Sequence, residues 1–245
     1  WSDGLPIVPP TRDRVEAFLD WTPRAPDEVF GVYPPELREA TVWSVAVNGV
    51  MAGCRPEHMP ILVAIADAIA DPVFRLEDAG STPSWEPLVV VSGEIVEALG
   101  FNTGVGAMKM GRRANASIGR FTRMLMRNVA GFRPGSTDKG TIGLTFNIAL
   151  GEDEAAVREL GWAPYRVDQG FAEADSIVTV RSSLMVSAPV YQGGSDATTI
   201  MAPLVTYLEG TTGPWFFTAL WYSHWHPLVI MSPAIARALA AHGWA

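Results

Sequence analysis

The stretch MAGCRPEHMP, residues 51–60, lies between two apolar segments and contains the only cysteine of the chain. The segment before it, residues 40–50, is apolar enough to be a buried helix or a buried strand. The segment after it, residues 61–70, has apolar residues at helical spacing. A glycine breaks the chain before Cys54, and proline is tolerated in the first turn of a helix. The stretch therefore predicts a helix that begins close to Pro56, with the thiol at or beside its N-cap.

This predicted position favours a reactive thiol at Cys54. The unpaired amides and the dipole of a helix start stabilise an anion, and Arg55 adds a positive charge, so we expect the thiol to ionise readily. His58 follows four residues after the cysteine, one helical turn away, and is the candidate proton partner of the thiolate. The alternative is that Cys54 is a small buried apolar residue and His58 a solvated residue of the first turn.

Composition and charge exclude several classes of function. The formal net charge of −8 and the lack of a long run of lysine and arginine argue against a nucleic-acid-binding protein. A single cysteine excludes an internal disulfide, so nothing requires an oxidising compartment. No apolar stretch has the length of a membrane span and no signal sequence is present, so we expect a cytoplasmic protein without membrane contacts. The sequence begins at Trp1 and ends at Ala245, and we expect further segments at both ends.

Hydrophobic patterning predicts an α/β (or α+β) fold, in which a mixed sheet is flanked by helices. We find no internal repeat or linker, and therefore expect a single layered domain over residues 1–245. Residues 1–11 are rich in proline and predict an extended arm laid over a surface. A short amphipathic helix is predicted to follow from Arg12 to Trp21.

Two buried strands are predicted from short apolar runs. The run LVVV, residues 88–91, is continuously apolar and β-branched, which is typical of a strand buried on both faces. The run LVIM, residues 228–231, predicts a second buried strand. Ser232 and Pro233 then predict the capped start of a C-terminal helix.

A glycine-rich loop, residues 100–111, leads into a predicted helix whose apolar positions are Ile118, Phe121, Leu125 and Val129. A glycine-rich loop that enters a helix N-terminus is the local architecture of an anion site. The loop is neither a P-loop nor a dinucleotide fingerprint, because the glycine and lysine spacing differs from both. We expect five residues to bind an anionic substrate: Arg55, Lys109, Arg112, Arg113 and Asn115. The alternative is a surface loop that leads to a basic, solvated helix face.

His224 and His226 form a second candidate site in a segment rich in tryptophan and tyrosine. Two residues apart in an extended segment, they face the same side and are candidates for acid/base catalysis. A metal site needs a third ligand, which no nearby residue supplies, so no metal ligand is assigned unless the fold brings Cys54 or His58 near, and the sequence specifies no cofactor. Aromatic neighbours also fit a role in lining a substrate site or a structural role. No serine-hydrolase elbow is present.

Four blocks that together span nearly the whole chain resemble one family: residues 2–11 (SDGLPIVPPT), 47–57 (VNGVMAGCRPE), 112–120 (RRANASIGR) and 228–233 (LVIMSP). The family is a poorly characterised bacterial one, associated with or fused to small UGSC-like thiol or selenol proteins that carry a Cys/Sec-Gly-Ser-Cys motif. The resemblance implies one subunit of a redox or bond-cleaving thiol system, hence a hetero-oligomer with a thiol protein. Cys54 matches the family's Gly-Cys-Arg/Lys-Pro position. Because this chain lacks Cys-Gly-Ser-Cys, a reaction that requires two thiols must take the second from a partner.

Three functions follow from these observations. The first is an enzyme or enzyme subunit in which the Cys54 thiolate attacks, or transfers electrons to, a small anionic substrate, with His58 or His224 moving protons. The second is a metal- or acid/base-dependent hydratase, hydrolase or lyase that uses His224 and His226. The third is a non-catalytic subunit whose proline-rich arm and tryptophan-rich surface bind a partner.

Overall fold

The computed structural model of the chain describes residues 1–81, 85–140, 146–183, 186–187, 189–190, 193–194, 196–222 and 227–244, with the backbone alone for residues 211–222. These residues fall into two units. The first comprises Trp1–Glu152 and Tyr165–Val186, and the second comprises Asp153–Pro164 and Ser187–Ala245. Helices together with a mixed sheet confirm the α/β class, and the single domain over residues 1–245 stays a prediction.

Helices and strands follow one another along the described chain in this order: α1 (Arg12–Leu19), β1 (Val29–Tyr33), β2 (Arg38–Thr41), α2 (Val42–Ala52), α3 (Met59–Ala70), β3 (Glu86–Ser92), α4 (Ile95–Ala98), α5 (Arg113–Leu125), β4 (Ala149–Gly151), α6 (Glu154–Glu159), α7 (Tyr165–Asp168), β5 (Ile177–Ser183), α8 (Ala197–Tyr222) and α9 (Pro233–Ala241). Short 3₁₀ turns lie at Pro56–His58, Pro72–Phe74 and Leu76–Asp78, and a π-helical turn, Met126–Ala130, continues α5.

The sheet of the first unit is mixed, as predicted. Its strand order is β4-β3-β5, and the central strand β3 runs parallel to β4 and antiparallel to β5. The predicted strand at residues 88–91 lies within β3, which is buried along nearly its whole length. A run of β-branched apolar residues fits this position because a central strand covered on both faces needs no polar side. Strands β1 and β2 form a separate antiparallel pair.

The apolar segment before the cysteine is the helix α2. Its start is fixed by a reciprocal cap, in which the Thr41 hydroxyl accepts from the Ser44 amide at 3.1 Å and the Ser44 hydroxyl accepts from the Thr41 amide at 3.0 Å. Most residues of α2 are buried, so this helix lacks the polar face that would have distinguished it from a strand. It ends at Gly53, whose φ of 82° is the left-handed conformation that favours glycine.

The predicted helix after the glycine-rich loop is α5, and its four apolar positions are buried as its periodicity predicts. At Gly119 this helix packs directly against the backbone of the segment that leads into β4. A Cβ atom at Gly119 would lie 2.1 Å from the Ile148 amide nitrogen and 2.4 Å from the Ile148 Cα. The absence of a side chain at Gly119 therefore sets the distance between α5 and the sheet.

The proline-rich arm has no regular secondary structure, and it is fastened to the first unit as predicted. Arg120 on α5 donates two hydrogen bonds to the Asp3 carboxylate, at 2.7 and 2.8 Å, and these bonds lower the pKa of Asp3 to about 2. The Val8 amide donates to the Met51 carbonyl at 3.3 Å. The arm thus runs from α5 to the C-terminal end of α2.

The helix predicted after the arm is α1, which ends at Leu19 rather than Trp21.

In the second unit, the predicted buried strand at residues 228–231 is wrong. These residues form no strand, and they are between 38% and 49% exposed. An apolar run is buried only where other elements cover it, and this one has no strand partner among the described residues. The start of α9 is as predicted, because the Ser232 hydroxyl accepts from the Ile235 amide and Pro233 occupies the first helical position.

None of the helices in the described part of the chain combines the length and the apolar character that a membrane span requires.

Candidate functional site

Cys54 lies between two helical segments, in the short turn that joins α2 to the 3₁₀ turn Pro56–His58. Its amide donates to the Gly49 carbonyl at 3.0 Å and so closes the C-terminal end of α2. The predicted helix start is present, but the cysteine also belongs to the end of the preceding helix. A helix C-terminus carries the negative end of the dipole, which does not favour a thiolate.

The prediction of an easily ionised thiol is wrong. Burial raises the pKa of the Cys54 thiol to about 12. A hydrogen bond with Ser117 and the positive charge of Arg113 both act in the opposite direction, but they do not compensate for the loss of hydration. The thiol is only 7% exposed, and it is therefore protonated at neutral pH.

His58 is fully buried rather than solvated. Its Nδ1 atom accepts from the Arg55 amide at 3.4 Å, and its Nε2 atom has no hydrogen-bond partner in the described part of the chain. Burial, with a further contribution from the positive charge of Arg55, lowers the pKa of His58 to about 4. The imidazole is therefore neutral at pH 7 and a weak base, and its predicted role as the proton partner of Cys54 stays a prediction.

A cavity of about 310 Å³ opens beside the cysteine, which lies in its wall. The Arg113 guanidinium also lines it, and Arg113 Nε donates to the Gly53 carbonyl at 2.9 Å. The full lining consists of Val8, Arg14, Ala17, Phe18, Val50, Cys54, Pro56 and Arg113. The structure thus brings together two residues of the predicted site, the thiol and one arginine, and adds the arm and α1 as further walls.

Arg14 lines the same cavity, although it was not predicted from the sequence to be a site residue. It precedes Ala17 by three residues and Phe18 by four, so the three share one face of α1. The helical spacing was visible in the sequence, but the packing of this face beside Cys54 was not.

The other residues of the predicted anion site lie elsewhere. Lys109 and Arg112 are exposed and do not line the Cys54 cavity, and Arg55 is ion-paired with Glu57 at 2.9 Å. The glycine-rich loop therefore contributes none of its own side chains to this cavity.

Asn115, also predicted to bind substrate, is fully buried and holds the backbone. Its amide nitrogen donates to the Ala149 carbonyl at 2.9 Å and to the Asn102 carbonyl at 3.2 Å, and its oxygen accepts from the Asn102 amide at 2.7 Å. Both donors of the side-chain amide are thus occupied by main chain. The structure gives this residue the role of tying the start of the glycine-rich loop to α5 and β4.

The alternative of a basic, solvated face on α5 also fails for two of its arginines. Arg120 is paired with Asp3, and Arg123 is paired with Glu86 at 2.8 Å and with Asp138 at 3.0 Å. These side chains are no more than 18% exposed, so α5 uses them to bind other parts of the chain.

The second predicted site, His224 and His226, lies outside the described residues. Among the residues that the structure describes, no group of three or more His, Cys, Asp or Glu side chains is arranged to hold a metal ion.

No match to the chain was found among protein-family models, curated proteins or solved structures. The resemblance to the family associated with UGSC-like proteins therefore stays a prediction.

Proposed function

We propose that the chain is an enzyme or enzyme subunit that uses the Cys54 thiol in redox or bond-cleaving chemistry on a small anionic substrate. A partner thiol protein of the UGSC-like kind supplies the second thiol where the reaction needs one. One observation carries this proposal. The only thiol of the chain lines a cavity of molecular size, and a guanidinium lines the same cavity.

The protonated state of the resting thiol determines the first step of the proposed reaction. The nucleophile is the thiolate, so the S–H proton must leave. In this proposal the proton passes to a base in the solvent that enters the cavity, and the sulfur forms a bond to the electrophilic atom of the substrate. The leaving group then departs with the electron pair of the bond that breaks. The positive charge of Arg113, which lowers the pKa of Cys54, stabilises the thiolate as it forms.

The test compares an anionic electrophile with a neutral one of the same size. Iodoacetate and iodoacetamide both alkylate a thiolate with loss of iodide, but only iodoacetate carries a charge that Arg113 can attract. We expect the rate ratio of iodoacetate to iodoacetamide at Cys54 to exceed that of free glutathione by about tenfold, since a hydrogen bond to a charged group contributes about 1.5 kcal/mol or more. Mass spectrometry of the modified peptide measures both rates.

Variants make this measurement specific to the cavity. Arg113→Gln should reduce the ratio to that of glutathione, and Arg127→Gln, on the π-helical turn outside the cavity lining, should leave it unchanged. A folded protein that neither reagent alkylates, or a ratio equal to that of glutathione in the unmodified chain, would contradict a reactive Cys54 with an anion site.

A non-catalytic partner-binding subunit is the second candidate, and one observation favours it. The four consecutive apolar residues 228–231 are exposed, which is typical of a surface that another protein covers. In co-expression with the thiol protein that the resemblance implies, we expect Ile230→Asp to dissociate the complex on size-exclusion chromatography. Cys54→Ser should leave the complex intact. A complex that survives Ile230→Asp argues against this surface.

The hydratase, hydrolase or lyase based on His224 and His226 gains no support from the described residues.

A further inference from the structure

The arginines around the Cys54 cavity differ in their partners. Three of the elements that build the cavity carry an arginine paired with an acid: Arg12 with Glu16 on α1, Arg55 with Glu57 in the turn, and Arg120 of α5 with Asp3. The distances of these pairs lie between 2.7 and 2.9 Å. With 26 acidic against 18 basic residues, the chain has acids available for its arginines.

The two arginines that line the cavity have no such partner. Among the described residues, Arg14 and Arg113 form no ion pair, and each donates only to a main-chain carbonyl. Arg14 Nη1 donates to the Pro9 carbonyl at 3.0 Å, and Arg113 Nε donates to the Gly53 carbonyl at 2.9 Å. These bonds hold the two exposed side chains at the cavity wall, and no acidic side chain of the described residues pairs with their positive charges.

The remaining lining is apolar apart from the thiol. Phe18 and Val50 form part of it together with Val8 of the arm, and none of the described residues that line the cavity is acidic. A free phosphate or another small inorganic anion would leave this apolar surface uncovered. A neutral apolar molecule would make no use of the two positive charges, which a carboxylate can meet with charge-assisted hydrogen bonds.

We infer that the ligand of this cavity is an organic carboxylate with an apolar body. Its carboxylate accepts hydrogen bonds from Arg14 and Arg113, and its hydrocarbon part packs against Phe18 and Val50 beside the cysteine. The volume of about 310 Å³ lies at the small end of the range for small-molecule sites, which fits a short-chain acid rather than a nucleotide. This inference rests on the proposed function only in that both use the Cys54 cavity.

The test is isothermal titration calorimetry of the full chain with straight-chain carboxylates from acetate to octanoate. We expect affinity to increase about threefold to fourfold with each methylene, until the chain no longer fits. The alcohol of equal length should bind at least about tenfold more weakly, because it lacks the charge that the guanidinium groups require. Inorganic phosphate, which lacks the apolar body, should compete poorly with hexanoate.

Substitutions in the cavity wall test whether hexanoate binds in this cavity. Arg14→Gln and Arg113→Gln should each weaken hexanoate binding about tenfold, and Arg127→Gln should not change it. Ala17→Phe, which fills the cavity from the partly exposed face of α1 without altering charge, should abolish binding while the thermal midpoint stays close to that of the unmodified chain. Circular dichroism confirms that each variant is folded.

The inference is overturned if hexanoate does not bind, if hexanol binds equally well, or if the folded arginine variants bind hexanoate like the unmodified chain. Cys54→Ala separates this result from the proposed function. Retained hexanoate binding in this variant is expected, since the thiol contributes no charge. Failure of the proposed function would instead appear as a Cys54 that iodoacetate does not alkylate in a protein that binds hexanoate.

Discussion

Gly119→Ala is expected to lower the free energy of unfolding by about 3 kcal/mol, the upper end of the usual cost of overpacking a core. The new Cβ atom would lie 2.1 Å from the Ile148 amide nitrogen and 2.5 Å from the Asn147 carbonyl carbon. Both are main-chain atoms, so no side-chain rotation relieves the contact. Either α5 must move away from the segment that leads into β4, or that segment must move away from β3.

Urea denaturation followed by circular dichroism measures this loss. Gly210→Ala is the matched control, because Gly210 lies within the helix α8 and, apart from the backbone of that helix, no atom of the described structure lies within 4 Å of its added Cβ. Alanine should stabilise that helix by up to about 1 kcal/mol through helix propensity. A Gly119→Ala protein as stable as the unmodified chain would show that the close packing of α5 does not determine the core.

The parts of the fold that could be predicted are those with a local pattern. The apolar spacing of α5 matches its buried face, because a helix that packs on a sheet on one side must repeat its apolar residues every three or four positions. The β-branched run of residues 88–91 indicated a buried strand for a similar reason. The cap before α9 was readable because a side-chain hydroxyl satisfies the helix amides locally.

The parts that could not be predicted depend on distant neighbours. The apolar run of residues 228–231 has the composition of a buried strand, but no neighbouring strand covers it in the described structure. The segment that became α2 was apolar on all sides, so its periodicity could not distinguish a helix from a strand. In both cases the outcome is set by packing, which local sequence does not contain.

The candidate site shows the same division. The glycine and proline on either side of Cys54 correctly indicated a break in the chain before the following helix. Whether the thiol there is hydrated depends on α5, which brings Ser117 and Arg113 to it from about sixty residues away. Burial then reverses the expected direction of the pKa shift. Arg14 could not be assigned to the cavity either, since only the packed position of α1 places it there.

Burial of His58 makes the folded chain less stable as the pH falls. Its pKa is lowered from 6.5 to about 4 in the folded chain, so the unfolded chain binds a proton in this range that the folded chain does not. The stabilisation is complete above pH 6.5 and is lost as the pH falls through about 4. A shift of this size corresponds to about 3 kcal/mol at most.

Burial of Glu86 has the opposite effect and makes the folded chain less stable as the pH rises. Arg123 lies between two carboxylates, those of Glu86 and Asp138, and its single positive charge can neutralise only one of them. Burial is the main cause that raises the pKa of Glu86 from 4.5 to about 7, and the nearby Asp138 adds to it. The folded chain therefore keeps a proton that the unfolded chain loses. The resulting stabilisation is complete below pH 4.5 and is lost as the pH rises through about 7, and it also amounts to about 3 kcal/mol at most.

Between about pH 4.5 and 6.5 the contributions of His58 and Glu86 to stability change in opposite directions and partly cancel in the unmodified chain. Substituting one residue at a time should therefore reveal the contribution of each. Going from about pH 7.5 to about pH 5, we expect His58→Gln to gain about 2 kcal/mol of stability relative to the unmodified chain, since it no longer loses the histidine contribution. Glu86→Gln should lose about 2 kcal/mol relative to the unmodified chain over the same interval.

Urea denaturation at a series of pH values measures both differences, and taking each relative to the unmodified chain removes the contribution of every other titrating group. The double variant should show the sum of the two changes, which is close to zero, because the two sites are expected to titrate independently. Variants whose stability changes with pH in parallel with the unmodified chain would show that neither burial shifts a pKa. Two variants with changes of the same sign would contradict the opposite protonation states assigned here: a neutral imidazole at His58 and a protonated carboxyl at Glu86 in mildly acidic solution.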